Sequence, residues 1–446
     1  MKRRRADTPD SEPIKEHDSG FVGPMTLFDT FPHNDTFDET RDLQLLASPV
    51  DTQADVYTFM HNRQDYGVLK TEDAMLKVKI SIHAANGTAA ANDRVIVLCT
   101  APLQFGWKSK EVYINNQLIN PSSNKDNELA YVNHLMSAVP SNYKDENDIT
   151  LMIHDTPGHF SDVTNVLDAG GGFVNLGGRA RYSACNQATA LTCIDSFDLM
   201  GYNKRYVPTS FDFKVVLTRL EKTKMLMGTT AHCRVHHIRY TDLQLSIPIM
   251  KPNAQLSAAI KELMIQKNEE CQFYVTNYRY VAKPIPIGSR HIIHQDLFNG
   301  ARPGRVITKI VVQTVYNGDH TLNPNIIPFP NIDYFSIKIN EAVIPPVYTN
   351  SQEAYMSLRQ ILDRCYSEMP FSHSEYRTSF GVIVNDLSPN KDGHSQVLPN
   401  STSGNVGVEI NFTANTTAAQ QLICIGKFRN ELSVGYGTQA RLKYDF

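Results

Sequence analysis

Leu76-Lys77-Val78-Lys79-Ile80-Ser81-Ile82 alternates branched apolar side chains with two lysines and a serine. Successive side chains of a strand point to opposite faces, so this stretch can bury one face on a core and leave the other in water. The same period of two recurs along the chain. Phe211, Phe213, Val215 and Leu217 alternate with Asp212, Lys214 and Val216. Leu243, Leu245, Ile247 and Ile249 follow, then Phe335, Ile337 and Ile339, and last Val406, Val408, Ile410 and Phe412. Strand patterns therefore run from about residue 50 to the C-terminus.

Helical spacing is confined to three short places, Glu128 to Ala138, Gln255 to Lys267 and Ser351 to Ser367, the last with Ser351 as its expected N-cap. A parallel βαβ sheet would need a helix in every crossover, so the chain reads as all-β, with antiparallel sandwiches and a few packing helices in the connections. The 446 residues exceed one ordinary core. Two sandwiches fit. The boundary is expected at 228/229, because one strand pattern ends at Leu220, Gly228-Thr229-Thr230 forms a hinge of small residues, and a new strand pattern starts at Arg234. This predicts an arm over 1–41, a first sandwich over 42–228 and a second over 229–446.

Apolar residues make up 41% and charged residues 20%, which excludes a disordered or fibrous chain. A net charge of -3 gives no bulk attraction to nucleic acid or membranes. The arm is the exception. Lys2, Arg3, Arg4 and Arg5 form a compact basic cluster that suits a nuclear-import signal, a contact to DNA or a solvated tail. Seven scattered cysteines, Cys99, Cys185, Cys193, Cys233, Cys271, Cys365 and Cys424, form no C-x-x-C pair and fit buried thiols of a reducing compartment. The start carries no apolar signal core, so the sequons at Asn34, Asn86, Asn400, Asn411 and Asn415 are expected to stay unglycosylated. No apolar run approaches the roughly 20 residues of a membrane span, and a soluble protein is expected.

Three strings resemble chemical motifs. Asp155-Thr156-Pro157-Gly158-His159 matches the D-x-x-G switch of GTPases, but the chain has neither a phosphate-cradling G-x-x-x-x-G-K-[ST] loop nor an N-K-x-D reader. His232-Cys233-Arg234-Val235-His236-His237 crowds four potential metal ligands into six residues. On a strand they would split between two faces, so no metal site is expected. Gly170-Gly171-Gly172 and Gly177-Gly178 lead into strand-like sequence and read as a flexible surface loop rather than a phosphate cradle. No catalytic, cofactor or metal residues are assigned, and a non-enzyme is expected.

Asp296-Leu297-Phe298-Asn299-Gly300-Ala301-Arg302-Pro303-Gly304-Arg305-Val306-Ile307, with Asn317-Gly318, Asn323-Pro324 and Phe329 downstream, resembles the double jelly-roll major capsid proteins. The family is the adenovirus hexon-like lineage, nearest to Polinton/Maverick and adintovirus-like members, with its Phe-x-Gly-x-x-Pro-x-Arg-Val strand start. Tyr334 to Asn340 resembles a strand that ends in an Asn-Gly or Asp-Gly turn, although Glu341 follows Asn340 here. Val112 to Ile119 with Asn115-Asn116, His154 to His159, Phe211 to Leu217 and Gly404 to Phe412 fit the same ordered series. The resemblance implies two tandem eight-stranded antiparallel jelly rolls. It also implies homotrimers forming pseudo-hexagonal capsomers, an icosahedral shell around double-stranded DNA, and contacts to neighbouring capsomers, penton and minor capsid proteins. The chain would reside in the virion after assembly in the host nucleus or cytoplasm. The competing readings are a penton or minor capsid protein and a carbohydrate- or receptor-binding sandwich, which would display exposed aromatic platforms.

Overall fold

A computed structural model describes residues 36–443, apart from 65–66, 92–93, 121, 138–148, 164–172, 186–189, 201–204, 363–368, 389–402 and 438–439. Lys2, Arg3, Arg4, Arg5, Gly170-Gly171-Gly172 and Cys365 lie outside the described residues. Sixteen strands carry the architecture. In the first half they are β1 (Phe37–Leu46), β2 (Val56–His61), β3 (Met75–Ala84), β4 (Trp107–Ile114), β5 (Gln117–Leu118), β6 (Leu191–Ser196), β7 (Phe213–Arg219) and β8 (His236–Pro252). In the second half they are β9 (Cys271–Ile285), β10 (His291–His294), β11 (Arg305–Val312), β12 (Ile332–Ile339), β13 (Ala342–Tyr348), β14 (Ile383–Asp386), β15 (Val406–Phe412) and β16 (Gln420–Val434).

The halves repeat one topology. In the first, β1, β8, β3 and β6 lie side by side, and β2, β7, β4 and β5 form the facing sheet. The second places β9, β16, β11 and β14 in one sheet and β10, β15, β12 and β13 in the other. Each strand thus has its counterpart eight places later, and all pairings are antiparallel. Eight strands wound into two four-stranded sheets with the order 1-8-3-6 and 2-7-4-5 are a jelly roll, and this chain contains two in tandem. Short strands at Val68–Leu69 and Val207–Pro208 extend the first sheet, and Arg441–Lys443 pairs with β16.

The alternating residues bury as their period requires. Leu76, Val78 and Ile80 are fully inside, as are Val215, Leu217, Val406, Val408 and Ile410. Between the sheets of the first roll, the Trp107 ring lies 5.4 Å from that of Tyr240. In the second, the Tyr348 hydroxyl on β13 donates to the Val384 carbonyl on β14 at 3.2 Å, linking the two sheets. The strands β4 and β12 each turn into their neighbour through two residues with positive φ, Asn115-Asn116 and Asn340-Glu341. That backbone matches the twist of a two-residue hairpin, so the turn forms at Glu341 without a glycine.

Several expectations are corrected. The division does not fall at 228/229, because β8 pairs with β1 and β3 and closes the first roll, and the second begins with β9. Gly228 belongs to a short strand, Leu226–Gly228, paired with Ile96–Leu98. It adopts φ +139, and a Cβ there would sit 2.3 Å from the Val95 carbonyl oxygen. Residues 37–41, expected in the arm, belong to β1. The helix at 351 is capped by Asn350, whose side chain accepts from the Gln352 and Glu353 amides, rather than by Ser351. Gly177-Gly178 opens a helix, Leu176–Cys185, instead of a surface loop, and both glycines are buried. A Cβ on Gly177 would collide with the His154 carbonyl at 1.9 Å, so close packing rather than flexibility calls for glycine there.

Candidate functional site

The functional feature that the side chains build is the seam joining the two rolls. A strap of the second half, residues 317 to 323, crosses onto the first. Gly318, at φ +89, is pressed so closely on Thr223 that a Cβ would stand 2.8 Å from its hydroxyl oxygen. The His320 Nδ1 bonds the Leu226 carbonyl at 2.8 Å, and the Gly228 amide donates to the His320 carbonyl at 2.7 Å. The presumed hinge is therefore an anchor point.

At the end of the strap lies Asp155, 2% exposed. Arg181 Nη2 and Asn175 Nδ2 each donate to its Oδ1 at 2.7 Å, and Asn323 Nδ2 donates to Oδ2 at 2.7 Å. Arg181, itself fully buried, also donates through Nε to the Leu98 carbonyl at 2.9 Å and through Nη1 to the Ile153 carbonyl. A buried guanidinium and carboxylate with this many satisfied donors form a rigid network rather than a reactive one. Around it, the Gly158 amide donates to Ser379 Oγ at 3.2 Å and the Phe160 ring packs edge-on against Phe380 at 5.5 Å, both across the seam. A GTPase switch carboxylate must face a metal ion, whereas both oxygens of Asp155 are occupied by protein donors.

A second polar cluster also bridges the two rolls. Glu128, on the helix Asp126–Ser137, meets Lys309 of β11 at 2.9 Å and accepts from the Tyr280 hydroxyl of β9 at 3.1 Å. Lys224 of the first half stands 4.0 Å from the other carboxylate oxygen. Burial alone would raise the Glu128 pKa, but Lys309 and Lys224 outweigh it and hold the carboxyl below its ordinary value. Burial pushes Lys224 down to about 8 despite the attraction of Glu128. Tyr280 is raised by burial and by Glu128, so it remains a donor.

The histidine string does not converge on an ion. Thr230–Val235 is a helix rather than a strand, Cys233 is buried, the Val95 amide donates to His232 Nδ1 at 3.0 Å, and His236 Nδ1 bonds the His232 carbonyl at 2.7 Å. Among the described residues no group of three metal-ligating side chains is assembled. Cys99, Cys185, Cys193, Cys233 and Cys424 are buried free thiols, and Cys271 is half-buried. Trp107 is 2% exposed and provides no aromatic platform. Among the described residues no helix is long and apolar enough to cross a membrane.

The sequence matches no protein-family model and no curated protein. Similarity appears in three dimensions. A chain of the Sputnik virophage superposes with a TM-score of 0.65 at 10% identity, covering 100% of this chain and 94% of its own. The mavirus major capsid protein gives 0.55 at 11% identity over 100% of this chain and 97% of its own. The Faustovirus major capsid protein gives 0.54 at 9% identity over 92% of each. Coverage of both rolls in each case, together with the repeated strand order, makes the fold of this chain the double jelly roll of viral capsid proteins.

Proposed function

We propose that this protein is a viral major capsid protein, with a structural and non-catalytic role in the virion shell. The observation that carries the reading is the superposition of the whole chain, both rolls in their tandem arrangement, on capsid proteins. Physical sense follows from the seam. Two rolls locked at a fixed angle make a rigid block, and three such blocks present six similar sandwiches around a threefold axis, enough to occupy near-hexagonal positions in a wall. The homotrimer, the icosahedral shell around double-stranded DNA and the contacts to penton and minor capsid proteins belong to this proposal. So does membership of the hexon-like lineage near the Polinton and adintovirus proteins. Lys2 to Arg5 are proposed as a nuclear-import or DNA contact, and their deletion should reduce nuclear entry or packaging.

Light scattering of the purified full-length chain tests the core of the reading. A species near three times 50.1 kDa, or hollow icosahedral particles in the electron microscope, is expected. A monomer that never assembles under any salt or pH would overturn it.

A further inference from the structure

The helix that connects the rolls is unusual for its lack of cover. Ala254–Lys261 contains no buried residue, and of its continuation Glu262–Gln266 only Met264 is buried. Leu263 and Ile265 are 39% and 49% exposed. Beside this helix runs a groove of about 500 Å³, walled by Leu256, Ile260, Leu263 and Met264 on one side and by Phe37 and Tyr206 on the other. An apolar groove of this size exceeds what scattered surface residues produce and marks a binding surface.

The fold itself indicates what fills it. Phe37, the first residue of β1, is part of the wall, with its ring 5.3 Å from that of Tyr206. The Asn253 amide donates to the Thr36 carbonyl at 3.0 Å, and Asn253 is the N-cap of the groove helix. The 35 residues that precede Thr36 therefore join the fold at the groove's own rim. Beyond a short polar link, Pro32 to Asp35, they turn apolar. Between Phe21 and Phe31 the sequence carries Phe21, Val22, Met25, Leu27, Phe28 and Phe31, with Asp29 as its single charge. Phe31 lies six residues before Phe37, a reach of about 20 Å when extended.

We propose that the groove is a docking site for residues Phe21 to Phe31 of the same chain, which fold back onto the connecting helix. The inference concerns contacts within one chain and does not depend on the capsid reading.

Cys271 lines the groove and is a native reporter. In the full-length protein its alkylation by iodoacetamide, followed by peptide mass spectrometry, should be slow. The paired substitutions Phe28→Ser and Phe31→Ser should raise the rate about tenfold, and Leu263→Ser on the opposite wall should do the same. An unchanged rate in both variants overturns the proposal. A benzophenone attached at Lys261→Cys, on the adjoining rim, then identifies the occupant. Cross-links to residues 21–31 within one isotopically labelled chain are expected when heavy and light chains are co-assembled. Mixed heavy–light products, or cross-links to any other segment, would overturn the assignment to the same chain.

Discussion

The two polar clusters of the seam join the same pair of rolls by different chemistry. At Asp155 one carboxylate faces one guanidinium, and two asparagines complete its hydrogen bonds. At Glu128 one carboxylate faces two ammonium groups, of which only Lys309 is within hydrogen-bond distance. Arginine keeps its charge in any environment, so its site has to be built with every donor placed. Lysine can surrender its proton when buried, so its site tolerates an incomplete partner. Asp155 therefore acts as a fixed rivet, and Glu128 as a joint whose strength depends on pH.

The sharpest way to break this contrast is Asp155→Ala. It strands Arg181, which is fully buried, and should cost about 3–5 kcal/mol in a urea titration. A loss below 1 kcal/mol would show that water replaces the carboxylate and that the cluster is no rivet. Asn323→Ala comes next, at about 2–3 kcal/mol, because it leaves a buried carboxylate oxygen without its donor. Its effect should shrink without vanishing in the Asp155→Ala background, since Asn323 also donates to the Phe160 carbonyl at 3.2 Å and accepts from the Asn325 amide at 2.9 Å. Glu128→Gln should cost less, about 1–2 kcal/mol, because the amide keeps an oxygen that can accept from Lys309 and Tyr280, and Lys224 can become neutral in response. Equal losses for Glu128→Gln and Asp155→Ala would abolish the distinction between the clusters.

The sequence discloses these regions unequally. The strands were legible because alternation in Leu76 to Ile82 or Val406 to Phe412 reports directly on which face is buried. The last strand of the first roll was also legible as a strand, but its membership was not. Gly228-Thr229-Thr230 reads as a break, and nothing local reveals that His236–Pro252 returns to pair with Met75–Ala84. The helix at Leu176 was hidden by Gly177-Gly178, whose low helix propensity is overridden by the contact with His154. The seam was visible only in pieces. Asp155 and Asn323 both stand out in the family resemblance, yet they are 168 residues apart, and no spacing rule connects a carboxylate to an amide at that distance.

The smallest effect, the pH response, tests the joint directly. Lys224 has a folded pKa of about 8 against about 10.4 in an unfolded chain, so between these values the unfolded state binds more protons. Stability should therefore rise with pH, on the order of 1 kcal/mol between pH 7 and 9 from this group alone. At the acid end the slope has the same sign. Glu128 is held below its ordinary 4.5, so its contribution is complete above that value and is lost as pH falls through the folded one. Lys224→Met should remove about half of the alkaline rise, because burial also lowers Lys427 to about 8, and Glu128→Gln should lessen the acid loss. An alkaline rise undiminished by Lys224→Met would locate the titration at Lys427 or elsewhere, and the Glu128 cluster would then be as fixed as the Asp155 one.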